Sequence, residues 1–81
     1  MVSGDLGDPR PGRYRHYKGN MYEVVGIARH SETMAELVVY RALYEHPELG
    51  FGSLWVRPRA MFVEEVALDG VKVPRFARVG D

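Results

Sequence analysis

Eighty-one residues are enough for one domain and too few for two. The chain has no cysteine, which excludes disulfides and a thiolate-rich zinc centre as the source of its stability. Eleven Lys and Arg balance eleven Asp and Glu, so no net field draws it towards nucleic acid or a membrane surface.

Met1 to Pro11 is polar and rich in Gly, Asp and Pro. It lacks the apolar centre of a secretory signal and is expected to be a disordered lead-in to a domain over residues 12–77, with 78–81 as a tail. No apolar run reaches the ~18 residues of a membrane helix, so no membrane partner and a cytoplasmic location are expected. The core must come from the apolar 46%, which includes three Phe, five Tyr and Trp55. A domain of this size buries only roughly 60–65% of its unfolded surface, so either a monomer or a weak homodimer is expected.

Arg13 to Lys18 reads as the first strand, between Pro11-Gly12 and Gly19-Asn20. Gly-Asn between two strand-like runs predicts a two-residue hairpin turn. That turn sets Lys18 opposite Met21, Tyr17 opposite Tyr22 and His16 opposite Glu23. The second strand runs from Met21 to about His30, with Val24, Val25 and Ile27 as its apolar content. Gly26 inside it predicts a bulge, which reverses the face on which His30 lies.

Ser31 to Glu36 is a polar connection in which Thr33 and Glu36 match a capping box, for one helical turn at most. Leu37 to Tyr44 is the third strand, suited to a pleated surface by its β-branched and aromatic content. Glu45 to Gly52, with Pro47, Gly50 and Gly52, reads as a loop. Ser53 to Arg57 is a short fourth strand, stopped by Pro58, which has no N–H to give a ladder. Arg59 to Met61 suggests a single 3₁₀ turn. Phe62 to Leu68 is the fifth strand, and Asp69-Gly70 is a second hairpin turn that returns the chain through Val71, Lys72 and Val73 to Pro74. Short strands with turn signals at ~8–12-residue spacing predict an all-β sandwich or barrel, and closure into a barrel removes exposed edges.

Several of these runs are similar to a known family. They are Gly12-Arg13-Tyr14-Arg15-His16-Tyr17-Lys18-Gly19, and Tyr22 to Thr33 ending in Ala28-Arg29-His30-Ser31-Glu32-Thr33. Val38-Val39-Tyr40 through Leu43-Tyr44 and Leu54-Trp55-Val56-Arg57-Pro58 follow. Met61-Phe62 with Glu64 and Val66, then Pro74-Arg75-Phe76, complete the set. Together they resemble a small bacterial family known only as domain-of-unknown-function family 1653, over residues 12 to 76. The resemblance implies a small SH3-like barrel of about five strands and implies no activity or cofactor. The Glu45–Gly52 loop is slightly long against the family's pattern.

Four constellations carry chemistry. His30-Ser31-Glu32-Thr33 places an imidazole beside two hydroxyls and a carboxylate, which suits either an anion pocket or a turn whose hydroxyls satisfy backbone groups. Four consecutive residues cannot form a catalytic relay, because each member must reach the next across roughly 3 Å. His16, His30 and His46 with Glu23 or Glu32 match no metal-ligand spacing. Trp55 and Arg57 are two apart on a strand and so share a face. With Tyr40 and Tyr14 they offer a shelf on which a flat group stacks while the guanidinium pairs with an anion; the alternative has Trp55 plugging the core and Arg57 on a surface carboxylate. Arg13, Arg15 and Lys18 interleave with Tyr14 and Tyr17 as on single-strand nucleic-acid surfaces, although alternation splits the set.

A non-catalytic binding module is therefore expected, without cofactor, metal or catalytic residues. Its candidate contacts are Tyr14, His16, His30, Thr33, Tyr40, Trp55 and Arg57, and its expected partner is a small anionic or planar ligand or a peptide. A nucleic-acid-binding accessory domain is the alternative, and an enzyme centred on His30 and Glu32 is the least supported.

Overall fold

The computed structural model describes residues 9–81, so the first eight positions of the expected lead-in lie outside the described residues. Nine short strands and one helical turn follow in order. They are β1 (Gly12–His16), β2 (Met21–Arg29), β3 (Glu36–Ala42), β4 (Glu45–His46), β5 (Gly50–Phe51) and β6 (Leu54–Pro58). Then come α1 (Arg59–Phe62), β7 (Glu65–Leu68), β8 (Val71–Pro74) and β9 (Phe76–Gly80). No helix among the described residues is long and apolar enough to cross a membrane.

Five strands form one antiparallel sheet in the order β6-β3-β2-β1-β9, and β4-β5 and β7-β8 form two separate hairpins. The all-β expectation holds. The sheet, however, is not closed into a barrel: β6 and β9 are its two edges. The edges nevertheless face one another across the curl, because the Arg57 guanidinium of β6 lies 5.8 Å over the Phe76 ring of β9. Side chains, not a backbone ladder, span that seam.

Alternation sorts the sheet into an inner and an outer face. Tyr14, Val24, Val38, Tyr40 and Phe76 point inward and are buried with Phe62, while Tyr22 and Trp55 pack against them half-buried. The extra residue at Val25, between the Val24–Tyr40 and Gly26–Val39 pairs, is the bulge that Gly26 predicted. It leaves Val25 on the surface, 48% exposed.

The first hairpin departs from expectation. Tyr14, not Tyr17, stands opposite Tyr22, and Arg13, not His16, opposite Glu23. A two-residue Gly19-Asn20 turn is replaced by a wider connection. The His16 carbonyl accepts from the Gly19 amide at 2.7 Å, and the His16 amide donates to the Asn20 carbonyl at 2.8 Å. The His16 Nδ1 also accepts the Lys18 amide at 3.1 Å. An imidazole acceptor inside the turn thus lifts Tyr17 and Lys18 out of the strand.

Two further local readings change. Thr33 and Glu36 form no capping box: Thr33 Oγ1 accepts the Ala35 amide in a turn, and Glu36 opens β3 with its carboxylate on Arg59 at 2.9 Å and Arg29 at 3.4 Å. Phe62 ends a helical turn instead of starting a strand, so of Met61, Phe62 and Val63 only Phe62 enters the core. A single turn of helix turns one side chain inward and its neighbours outward.

A candidate binding face of rings and one arginine

The inner face is aromatic at the end where β1, β2, β3 and β9 converge. Phe76 sits at its centre, stacked on Phe62 at 4.1 Å and edge-on to Tyr22 and Tyr40 at 5.6 Å each. His16 meets the same ring edge-on at 4.9 Å. Tyr22 extends the cluster, its hydroxyl paired with that of Tyr44 at 2.9 Å. Burial and that hydroxyl pair push the Tyr22 phenol well above the usual tyrosine range, so it stays neutral and acts only as a hydrogen-bonding group.

β6 supplies the rim. Trp55 lies level with Tyr40 and Val24, and Arg57 level with Val38. The indole is neither a full core plug nor a free shelf. It packs half-buried against the core cluster, with Nε1 donating to Ser53 Oγ at 2.8 Å and the His46 ring 5.7 Å away. Arg57 is half-buried, its guanidinium over Phe76 and its Nε buried without an acceptor. No carboxylate pairs with it among the described residues.

Four of the seven sequence-derived candidates thus gather here: His16, Trp55 and Arg57 around a floor that includes Tyr40. Tyr14 instead faces Phe62 within the core, edge-on at 5.8 Å, with its hydroxyl on the Arg10 carbonyl. His30 and Thr33 stand apart. His30 lies just past the end of β2, six residues beyond Val24, roughly 20 Å at strand spacing, and its Nδ1 accepts the Glu32 and Thr33 amides at 3.1 and 3.3 Å. Arg13 and Arg15 point outward from β1, and Lys18 sits on the adjoining turn, over the Tyr17 ring at 5.8 Å.

The three histidines share one structural task. His46 Nδ1 accepts the Glu48 and Leu49 amides at 3.1 and 3.2 Å, as His16 and His30 do in their own turns. An acceptor at Nδ1 puts the ring proton on Nε2, where it is available as a donor. For His16, burial first, and then the charges of Arg57, Arg75 and Lys18, hold the imidazole below its ordinary value of 6.5. In the window below that value the unfolded chain takes up a proton that the folded protein resists, so stability falls as pH falls through it. The denaturation midpoint is therefore expected to decline from about pH 6.5 downward. In His16→Asn, which keeps an acceptor for the Lys18 amide, the decline should flatten; an unchanged pH profile would assign it to other groups.

Tyr22, Phe76 and Arg75 are the members of this face that sequence reasoning missed. Arg75 adds positive charge near His16, and its Nη2 is 3.5 Å from Glu64. The signal that could have found Phe76 is its aromatic character two residues after the Pro74 stop.

A family model described as a protein of unknown function, DUF1653, matches residues 12–78. The chain belongs to the DUF1653 family. A crystal structure of a protein belonging to DUF1653 from Bordetella bronchiseptica is 42% identical, covers 90% of each chain and superposes with a TM-score of 0.80. No curated protein matches this sequence. The matched span of the DUF1653 domain takes in all of β1 and the Phe76 end of β9, and with them the whole aromatic face. The family's description assigns no activity.

Proposed function

We propose that this DUF1653 domain is a non-catalytic binding module whose rim, formed by Trp55, Arg57 and His16 over the Tyr40–Phe76 floor, holds a flat anionic group. One observation carries the reading: a half-buried guanidinium set over the Phe76 ring, with no carboxylate on it among the described residues. Arg is the side chain best suited to grip a carboxylate or phosphate in two-point fashion. An anion arriving there satisfies the guanidinium while its flat part contacts the indole. The Nε2–H of His16 supplies a further donor on the same side.

Two other arginines have a buried Nε without a partner. Arg41 alternates to the outer face of β3, with its Cδ near Gly52. Arg75 is already held by Glu64. Arg57 alone combines the inner face, the aromatic neighbours and the missing carboxylate.

The test uses Trp55 as reporter. Benzoate and inorganic phosphate should each compete for Arg57, and benzoate should quench the indole emission saturably. Arg57→Ala should abolish that response and leave the circular dichroism spectrum unchanged. Binding should also tighten as His16 gains its proton at lower pH while benzoate stays ionised. Quenching of the same amplitude and midpoint in Arg57→Ala would remove the proposal.

A further inference from the structure

A cavity of about 350 Å³ opens on a different side of the core, between β1, α1, β8 and β9. Tyr14, Phe62 and Phe76 form its aromatic wall, Pro74 a stiff side, and Ala77 leaves it open at the β9 end. Of the nine described residues that line it, two carry guanidinium groups, Arg10 and Arg78, and none of the nine carries a carboxylate.

Arg78 is seated with care. β9 turns it inward, opposite Tyr14, and its guanidinium lies 5.9 Å over the Tyr14 ring. Its Nη1 donates to the Pro11 carbonyl at 3.3 Å and its Nη2 to the Asp81 carboxylate. The space it fills exists because residue 12 is glycine: a Cβ there would stand 2.8 and 2.9 Å from the two terminal nitrogens of Arg78. The chain thus forgoes a side chain to hold a cation at the edge of an aromatic cavity.

We infer that this cavity is a ligand site for a bicyclic aromatic carboxylate, with its rings against Phe62, Phe76 and Tyr14 and its acid group on Arg78. Volume sets the size of the ring system: an apolar cavity of about 150 Å³ admits a benzene, and 350 Å³ admits two fused rings with an acid group. Ligand sites begin at roughly 300 Å³ and combine an apolar lining with a few directed polar groups. Charge sets the head group, because the charged groups among the described lining residues are the guanidiniums of Arg10 and Arg78. Asp81 shows that the Arg78 fork accepts a carboxylate. That side chain is fully exposed, so a ligand acid replaces it by exchanging one carboxylate for another. The site shares Phe76 with the binding face described above but uses neither Trp55 nor Arg57, so an Arg57 variant tells the two apart.

The probe is 2-naphthoate, added to the full chain and followed by the backbone amide NMR signals of Ala77 and Arg78. Saturable shifts are expected at those amides, with no quenching that depends on Arg57. The uncharged analogue 2-naphthalenemethanol should bind about tenfold more weakly, as for loss of one charge-assisted contact. Asp81→Asn, which removes the competing carboxylate from an exposed position, should tighten 2-naphthoate binding, and Arg78→Gln should weaken it by about tenfold. Shifts absent from Ala77 and Arg78 at millimolar probe, equal affinity for acid and alcohol, or an Asp81→Asn variant with unaltered affinity would each overturn the inference.

Discussion

Gly12→Ala should lower the thermal midpoint of the domain by roughly 8–24 °C, the shift for a loss of about 2–3 kcal/mol in a chain of this size. The backbone at Gly12 has a φ of +144°, a region in which only glycine is at ease. Geometry adds a collision that no rotamer relieves: the new Cβ would lie 2.7 Å from the carbonyl oxygen of Gly80. Since Gly12 lies on β1 beside the end of β9, relief means parting those two strands or expelling Arg78 from over Tyr14. Gly19→Ala is the control. Gly19 also has positive φ, at 110°, but a Cβ there meets nothing within 4 Å, so its cost should be strain alone. Differential scanning calorimetry of the two variants checks the order; a smaller loss for Gly12→Ala than for Gly19→Ala would contradict it.

Phe76→Ala should leave the domain at the margin of folding at 25 °C. Truncating a buried Phe costs about 3–5 kcal/mol, against a total of roughly 4–12 kcal/mol for 81 residues. Phe76 is 7% exposed and its ring touches Phe62, Tyr22, Tyr40, His16 and the Arg57 guanidinium. It therefore serves two sheet edges and the helical turn at once. Phe76→Leu retains much of the volume and should cost under half as much, although it loses the stacking on Phe62. Urea titration separates the two variants. A fully folded alanine variant with a wild-type midpoint would show that the seam is held elsewhere.

The element order was largely legible in the sequence, because β-branched runs and the Asp69-Gly70 turn carry strong local signals. Asp69, at a φ of 53°, and Gly70, at 81°, form the tight turn between Leu68 and Val71. β9 was not legible, and the reason is physical. Its inward residues are Phe76 and Arg78, whereas Val79 points out and is 48% exposed. An arginine that turns inward to set its guanidinium over a ring inverts the alternation by which strands are read. The hairpin register failed for a related reason: an imidazole acceptor in the turn is invisible to rules built on Gly-Asn dipeptides. Of the binding face, the Trp55–Arg57 pairing followed from a two-residue spacing on one strand. Its junction with Phe76 and His16 needed the curl of the whole sheet, which joins positions nineteen residues or more apart.

The two sheet edges have a bearing on solubility. Each leaves a row of peptide groups without a ladder partner, and Leu54 and Val56 stand 61% and 60% exposed beside one of them. Such a border invites a foreign strand to add itself. Here both borders are only five residues long, Pro58 caps one, and the cation on Phe76 keeps the two turned towards each other. The protein thus guards against runaway stacking by brevity, a proline and one electrostatic clasp, in place of a closed ring of strands.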